Sequence, residues 1–191
     1  RLSSHRLSRR GFLQSGAAAA LAAAWGAEAF AQARAGASAI TATDLGGATL
    51  LQGAGCNVVA LRGTSEGGAL MIDGGLAAHA EALLAAVRTA TGQARVHTLI
   101  NTHWHPEQIG ANGAVGRGGG VIFAHEKTKI YLSHPRYSDT FAREAALPEA
   151  ARPTQTTIGD GTLTFAGLTV DYGYMPSAHT DGDLFVHLPS L

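Results

Sequence analysis

Between residues 48 and 101 the chain sets its apolar residues in short runs cut by glycine, and only one run is long enough for a helix. Ala48–Leu51, Asn57–Arg62 and Ala69–Ile72 are short apolar stretches separated by Gly53–Gly55 and Ser65–Gly68. Runs of that length bounded by turn residues read as strands, and such close connections pair them as an antiparallel meander. After Gly74-Gly75 the spacing changes. Leu76, His79, Ala80, Leu83, Leu84 and Val87 recur at helical period, which predicts an amphipathic helix over Leu76–Thr91. Val96–Asn101 returns to strand, Gln108–Val115 reads as a short helix, Gly120–Ala124 as a strand and Glu126–Leu132 as a helix. Residues 133–156, with Pro135, Pro148 and Pro153, read as irregular. Thr162–Phe165 and Leu168–Tyr174 bracket Ala166-Gly167 as a hairpin, and Leu184–Leu188 is a last strand. Strands that dominate but are separated by helices give a layered α/β (α+β) domain.

Composition narrows the class. Of 191 residues, 46% are hydrophobic and only 15% charged, which excludes a disordered chain. A single cysteine excludes a disulfide scaffold. Fourteen basic residues against fourteen acidic ones leave no electrostatic footprint for nucleic acid. That balance conceals an uneven distribution, because Arg1, Arg6, Arg9 and Arg10 all precede an alanine-rich apolar run from Gly11 to Trp25. With Ala29-Phe30-Ala31 and Ala31-Gln32-Ala33 behind it, the segment has the three regions of a secretory signal peptide. The run is shorter than the roughly 20 residues of a membrane span, so no stable insertion is expected once the signal is cleaved. Ser8-Arg9-Arg10-Gly11-Phe12-Leu13-Gln14 resembles the twin-arginine export signal. The resemblance implies a periplasmic or secreted protein exported after folding. Cleavage near Ala31 or Ala33 would remove four Arg and Glu28, leaving a net charge of −3. The expected organisation is a signal over residues 1–33, a small, polar linker over 34–46 and one domain over 47–191.

The chemistry sits in Asn101-Thr102-His103-Trp104-His105-Pro106-Glu107-Gln108, directly after a strand. In extended chain, residues i and i+2 project to the same side, so His103 and His105 can reach one metal at about 2.0–2.1 Å. The C-terminal end of a strand is also where α/β folds place their sites. H-x-H alone equally describes two surface imidazoles at the start of a loop. Ser177-Ala178-His179-Thr180-Asp181-Gly182-Asp183 is a polar turn between two apolar strands, and its His179 can complete a three-histidine catalytic zinc site. Asp183 can orient His179 or bind metal itself, whereas Asp181 reads as a solvated turn residue. His125 reads as a cap or packing residue, and His134 and His187 as structural. Trp104 reads as pocket wall or core, and Cys56 as a small packed hydrophobe. Gly110–Gly120 lacks the G-K-[ST] of a phosphate loop, and Ser177 has no G-x-S-x-G setting.

From about residue 47 onward these elements resemble the metallo-β-lactamase fold hydrolases. Their H-x-H-x-D-H motif is matched in position by His103-Trp104-His105-Pro106-Glu107-Gln108, and their later G-H-T-like turn by Ser177-Ala178-His179-Thr180. Met71-Ile72-Asp73-Gly74-Gly75 resembles the strand-ending Asp that supports the ligands from behind. The resemblance implies a four-layer αβ/βα sandwich, here incomplete at the C-terminus because the second half of the fold has no counterpart. Glu107 and Gln108 stand where the family has the Asp and His of its second metal, and a neutral amide is a poor ligand for zinc. The expectation is therefore one ion, zinc with iron as the alternative, on His103, His105 and His179. Glu107 would act as general base, and Asp73 and Asp183 would orient the ligands. The implied activity is hydrolysis of a small carbonyl, ester or lactam substrate by metal-activated water. The other reading is a non-catalytic binding protein of the same fold, or an inactive fragment with a degenerate metal site. An incomplete fold would leave the strand at Leu184–Leu188 as an open sheet edge, a template for self-association.

Overall fold

The computed structural model describes residues 39–63, 67–137 and 143–191. The export signal expected over 1–33 and the first part of the linker lie outside them. Three strands form the expected antiparallel meander, β2 (Ala48–Gln52), β3 (Val58–Leu61) and β4 (Ala69–Ile72), and a fourth, β1 (Thr41–Asp44), extends it at the edge. The chain then crosses over through helix α1 (Ala80–Thr91) to β5 (Val96–Ile100), which runs parallel to β4. Two short helices, α2 (Pro106–Ile109) and α3 (Asn112–Arg117), carry it to β6 (Val121–His125), parallel to β5. Helix α4 (Glu126–Ser133) follows, then the two-residue pair β7 (Arg136–Tyr137) and β8 (Arg143–Glu144). Strand β9 (Gln155–Thr157) completes a seven-stranded sheet in the order β1-β2-β3-β4-β5-β6-β9. A second, antiparallel sheet is built from β10 (Gly161–Phe165), β11 (Leu168–Met175) and β12 (Asp183–His187).

Strand alternation sends the large sheet's side chains to two different cores. On one face Ala69, Met71, Leu99 and Ile122 pack against Leu83 and Val87 of α1, Ala111 just before α3 and Val115 of α3. The intervening residues Leu70, Ile100 and Phe123 face the other way, onto Phe165, Val170 and Leu184 of the small sheet. Helices α1 and α3, the large sheet and the small sheet thus stack in that order. Leu70, Leu83, Leu99 and Ile100 are almost completely buried, each worth about 2 kcal/mol in removal of apolar surface from water.

Three expectations need correction. The linker expected over 34–46 contains β1, which hydrogen-bonds along β2 as an edge strand. Its four side chains are all exposed, so the alternation that marks a strand is missing. The helix expected over Gln108–Val115 is two helices, the first starting at Pro106, where a proline suits the first helical turn. The irregular stretch over 133–156 holds β7 and β8 and runs into β9, whose short length carries no pattern. The final hairpin is as expected: Ala166 (φ 51°) and Gly167 (φ 82°) are both left-handed, the geometry of a two-residue I′ turn. Among the described residues no helix is long and apolar enough to cross a membrane.

Candidate metal centre

The floor of the site is made of backbone. Strand β4 gives way to Asp73, a non-glycine residue at φ 64°, followed by Gly74 and by Gly75 at the same positive φ. Backbone strain of this kind persists only where surrounding structure fixes it. Here Asp73 N–H donates to Ile100 O at 2.8 Å, Gly74 N–H to Gln108 O at 2.6 Å, and Ala111 N–H to Gly74 O at 3.0 Å. Gly110 N–H donates to Gly75 O at 2.8 Å. The two chains run so close that a Cβ at Gly110 would collide with the backbone of Gly75, Leu76 and Ala77. A second tie is polar and fully buried. Asn101 and Asn112 exchange amide hydrogen bonds at 3.0 and 2.9 Å, and each uses its remaining amide hydrogen on a carbonyl, that of Gln108 or of Ala151. These bonds clamp the loop between β5 and α2 at both ends.

That loop brings His103 and His105 together, and the turn between β11 and β12 brings in His179. One nitrogen from each of the three lies within 4.8 Å of the others. His105 Nδ1 and His179 Nε2 are 3.0 Å apart, and the ring centroids are separated by 4.6–5.0 Å. Two donors on one tetrahedral metal at about 2.0–2.1 Å lie ~3.4 Å apart, so the observed cluster needs only a small opening. His103 Nε2 is buried and has no hydrogen-bond partner among the described residues. Burial, with the neighbouring His105 ring, holds the His103 pKa below the usual imidazole range. A neutral imidazole with a buried, unused lone pair is what a divalent metal requires, and the three residues fit such an ion.

The hydrogen bond behind His103 fixes which nitrogen carries that lone pair. Thr102 N–H donates to Asp73 Oδ1 at 2.8 Å, and Thr102 Oγ1 lies 2.9–3.0 Å from both carboxylate oxygens. The hydroxyl spends its one hydrogen on that carboxylate. With Asp73 ionised, His103 Nδ1, 3.0 Å from the same Oγ1, is left to donate to it, and Nε2 stays bare. Asp73 therefore acts on His103 through Thr102. Its burial pushes its own carboxyl up to about 7, against the hydrogen bonds from Thr102. Asp183 supports the other side differently. Its carboxylate accepts from the backbone N–H of His179 and Thr180 and from the Thr180 hydroxyl, so it holds the turn rather than the imidazole. Burial pushes the Asp183 carboxyl up, but the bonds from Thr180 and His179 together outweigh that and hold it below the usual range.

The remaining residues fall around this centre. Glu107 sits in the first turn of α2, half-buried, two residues after His105. Gln108 is buried, with Oε1 unpartnered among the described residues. His125 caps α4, its Nδ1 accepting from Lys127 N–H, and its ring stacks on Tyr174 at 3.9 Å. Cys56 is half-buried, and burial with the nearby Asp73 carboxylate raises its thiol to about 11. His134 is exposed and lies 2.8 Å from Ile130 O, while His187 is exposed, 3.6 Å from Asp171. Sequence reading missed Thr102 and the Asn101–Asn112 pair. A hydroxyl directly before the first ligand was a usable signal for the former.

Comparison with known proteins agrees with this arrangement. The profile of the Metallo-beta-lactamase superfamily matches residues 51–191. No curated protein matches the sequence. Among solved structures, a B3 metallo-beta-lactamase described as the first with an active-site glutamic acid superposes with a TM-score of 0.65 at 20% identity, covering 82% of this chain and 60% of its own. A Cronobacter sakazakii metallo-beta-lactamase with a HARLDQ motif gives 0.65 at 18%, covering 82% and 61%. A metallo-beta-lactamase from Pontibacter korlensis gives 0.56 at 22%, covering 79% and 61%. The chain thus spans about three-fifths of the length of these structures. With the fold, the histidine cluster and the profile in agreement, this chain belongs to the metallo-beta-lactamase superfamily.

Proposed function

We propose that the chain acts as an exported, single-metal hydrolase, with zinc on His103, His105 and His179 and iron as the alternative ion. The observation that carries this reading is the buried, unpartnered Nε2 of His103 facing two further imidazole donors. Bound there, the metal would supply Lewis acidity to a carbonyl and activate water near neutral pH. The chain's own residues do the rest. Asp73, through Thr102, keeps the His103 proton on Nδ1, and Asp183 holds the backbone from which His179 reaches in. Glu107 takes the proton of the attacking water as general base. Two relatives' descriptions support the tolerance of Glu and Gln beside such a centre. One names an active-site glutamic acid, and the other's HARLDQ motif ends, like His103–Gln108, in glutamine. The substrate class is a small ester, lactone, thioester or lactam. Export rests on the Ser8–Gln14 resemblance to a twin-arginine signal.

The test is elemental analysis of the purified protein, with hydrolysis assays on one β-lactam, one lactone, one thioester and one aryl ester. Near-stoichiometric zinc or iron, lost in His179→Ala together with turnover, is the expected result. Absence of bound metal would overturn the reading in favour of a non-catalytic binding protein, which the buried amide of Gln108 at the family's ligand position favours. Glu107→Gln should lose turnover at unchanged metal content, and unaltered turnover would remove Glu107 as the base.

A further inference from the structure

Trp104 lies between the two ligands of the His-Trp-His run, and its ring is held from both sides. It stacks on Tyr131 of α4 with centroids 3.7 Å apart and planes 20° from parallel. It also meets the His105 ring edge-to-face, at 4.4 Å and 85°. His105 continues the row to His179, at 4.6 Å and 90°. His105 occupies the position just before α2 and makes no capping hydrogen bond with its side chain. A part-exposed imidazole with two free torsions would otherwise sample several orientations. The lone pair of an imidazole nitrogen lies in the ring plane, so a ligand ring must be turned edge-on to its metal. An aromatic neighbour packed at right angles fixes that plane but leaves two positions related by a half-turn. The 3.0 Å approach of Nδ1 to His179 Nε2 selects between them.

We propose that Trp104, backed by Tyr131, is the positioning residue for His105: it sets the ring plane that presents Nδ1 towards His103 and His179 before any metal binds. This rests on the metal-site reading above. It assigns to Trp104 a task beyond filling core volume, and it makes helix α4 part of the support of the centre. Trp104 also keeps its indole Nε1 buried without a partner among the described residues, which packing by phenylalanine would avoid. The two-ring indole spans from Tyr131 to His105, a reach that a single ring only partly reproduces.

The experiment measures cobalt(II) affinity of the full chain by competition with a chromophoric chelator, with the visible absorption of bound cobalt as the signature of ligand geometry. Trp104→Leu keeps an apolar side chain without a ring and should weaken binding at least tenfold, in the range seen for residues that orient ligands. The cobalt bands should shift as well. Trp104→Phe should recover most of that loss, to within about threefold of wild type. Tyr131→Leu lies outside the ligand loop and should move affinity in the same direction by a smaller factor, which supplies the reading if Trp104→Leu does not fold. Nitrogen shifts of His105 in the metal-free protein should show a mixture of ring states only in the Leu variants. Equal affinity and equal spectra for wild type and a folded Leu variant would overturn the proposal. Failure of the wild type itself to bind cobalt would instead overturn the metal-site reading.

Discussion

The three imidazoles come from two unlike places. His103 and His105 stand on a loop whose ends are clamped by the Gly74–Gly75 backbone ladder and by the buried Asn101–Asn112 pair. His179 stands on an exposed turn held mainly by one carboxylate, Asp183, with Thr128 donating to Gly182 O and Tyr174 to Asp181 O. The first region is held by the Asn101 and Asn112 amides, which are buried and mutually satisfied, so a change in either strands a partner away from water. The second exposes its residues from Met175 to His179 to solvent and buries its anchor, Asp183, so water reaches the turn but not the carboxylate that holds it. One side of the centre is therefore a platform held by several buried ties, and the other an exposed arm held mainly at one point. Metal binding would be governed by the arm, and stability by the platform.

That contrast can be broken or sharpened by substitution. The largest effect should come from Gly110→Ala, whose Cβ has no room against the backbone of residues 75–77. We expect a loss of about 3 kcal/mol or more by denaturant melting, because backbone cannot swing aside as a side chain can. Asn112→Ala should cost roughly 2–3 kcal/mol, since it leaves the Asn101 Oδ1, one Asn101 amide hydrogen and the Ala151 carbonyl buried and unpaired. Asp183→Asn should cost about 1–2 kcal/mol in stability yet weaken metal binding more than that loss implies. Its sign with pH follows from the lowered carboxyl: the stabilisation is complete above the unfolded value near 4 and disappears as pH falls through the folded value. Thermal melts of wild type and Asp183→Asn should converge only in that acidic window. The smallest effect belongs outside both regions, where Ala166→Gly relieves a left-handed alanine and should raise stability by roughly 0.5–1 kcal/mol. If Asp183→Asn proved as damaging as Gly110→Ala, the distinction between platform and arm would fail.

Much of this was legible in the sequence because burial imposes a period. Leu99 and Ile100 belong to opposite cores, and α1 buries Leu83 and Val87 at helical spacing, so β5 and α1 announce themselves. The ligand trio was legible too, since H-x-H after a strand and a lone His in a polar turn are local signals. What stayed hidden lacks period or locality. Strand β1 has no buried side chain, and β9 is three residues long. Asn101 and Asn112 are ordinary polar residues whose pairing depends on how α2 and α3 fold back, and Gly110 reveals its role only beside a chain thirty-odd residues earlier. Asp183 showed its position, but not that it would hold backbone instead of a ring.

The contact between His105 and His179 closes 74 residues of chain. Two donors that touch in the native state are therefore strangers in the unfolded one, where no comparable cluster exists to compete for an ion. On the proposed reading, whatever free energy the ion releases on binding is added to the stability of the folded state. A chelator would then act on this protein as a denaturant, and the metal as a ligature tying off a loop of 74 residues.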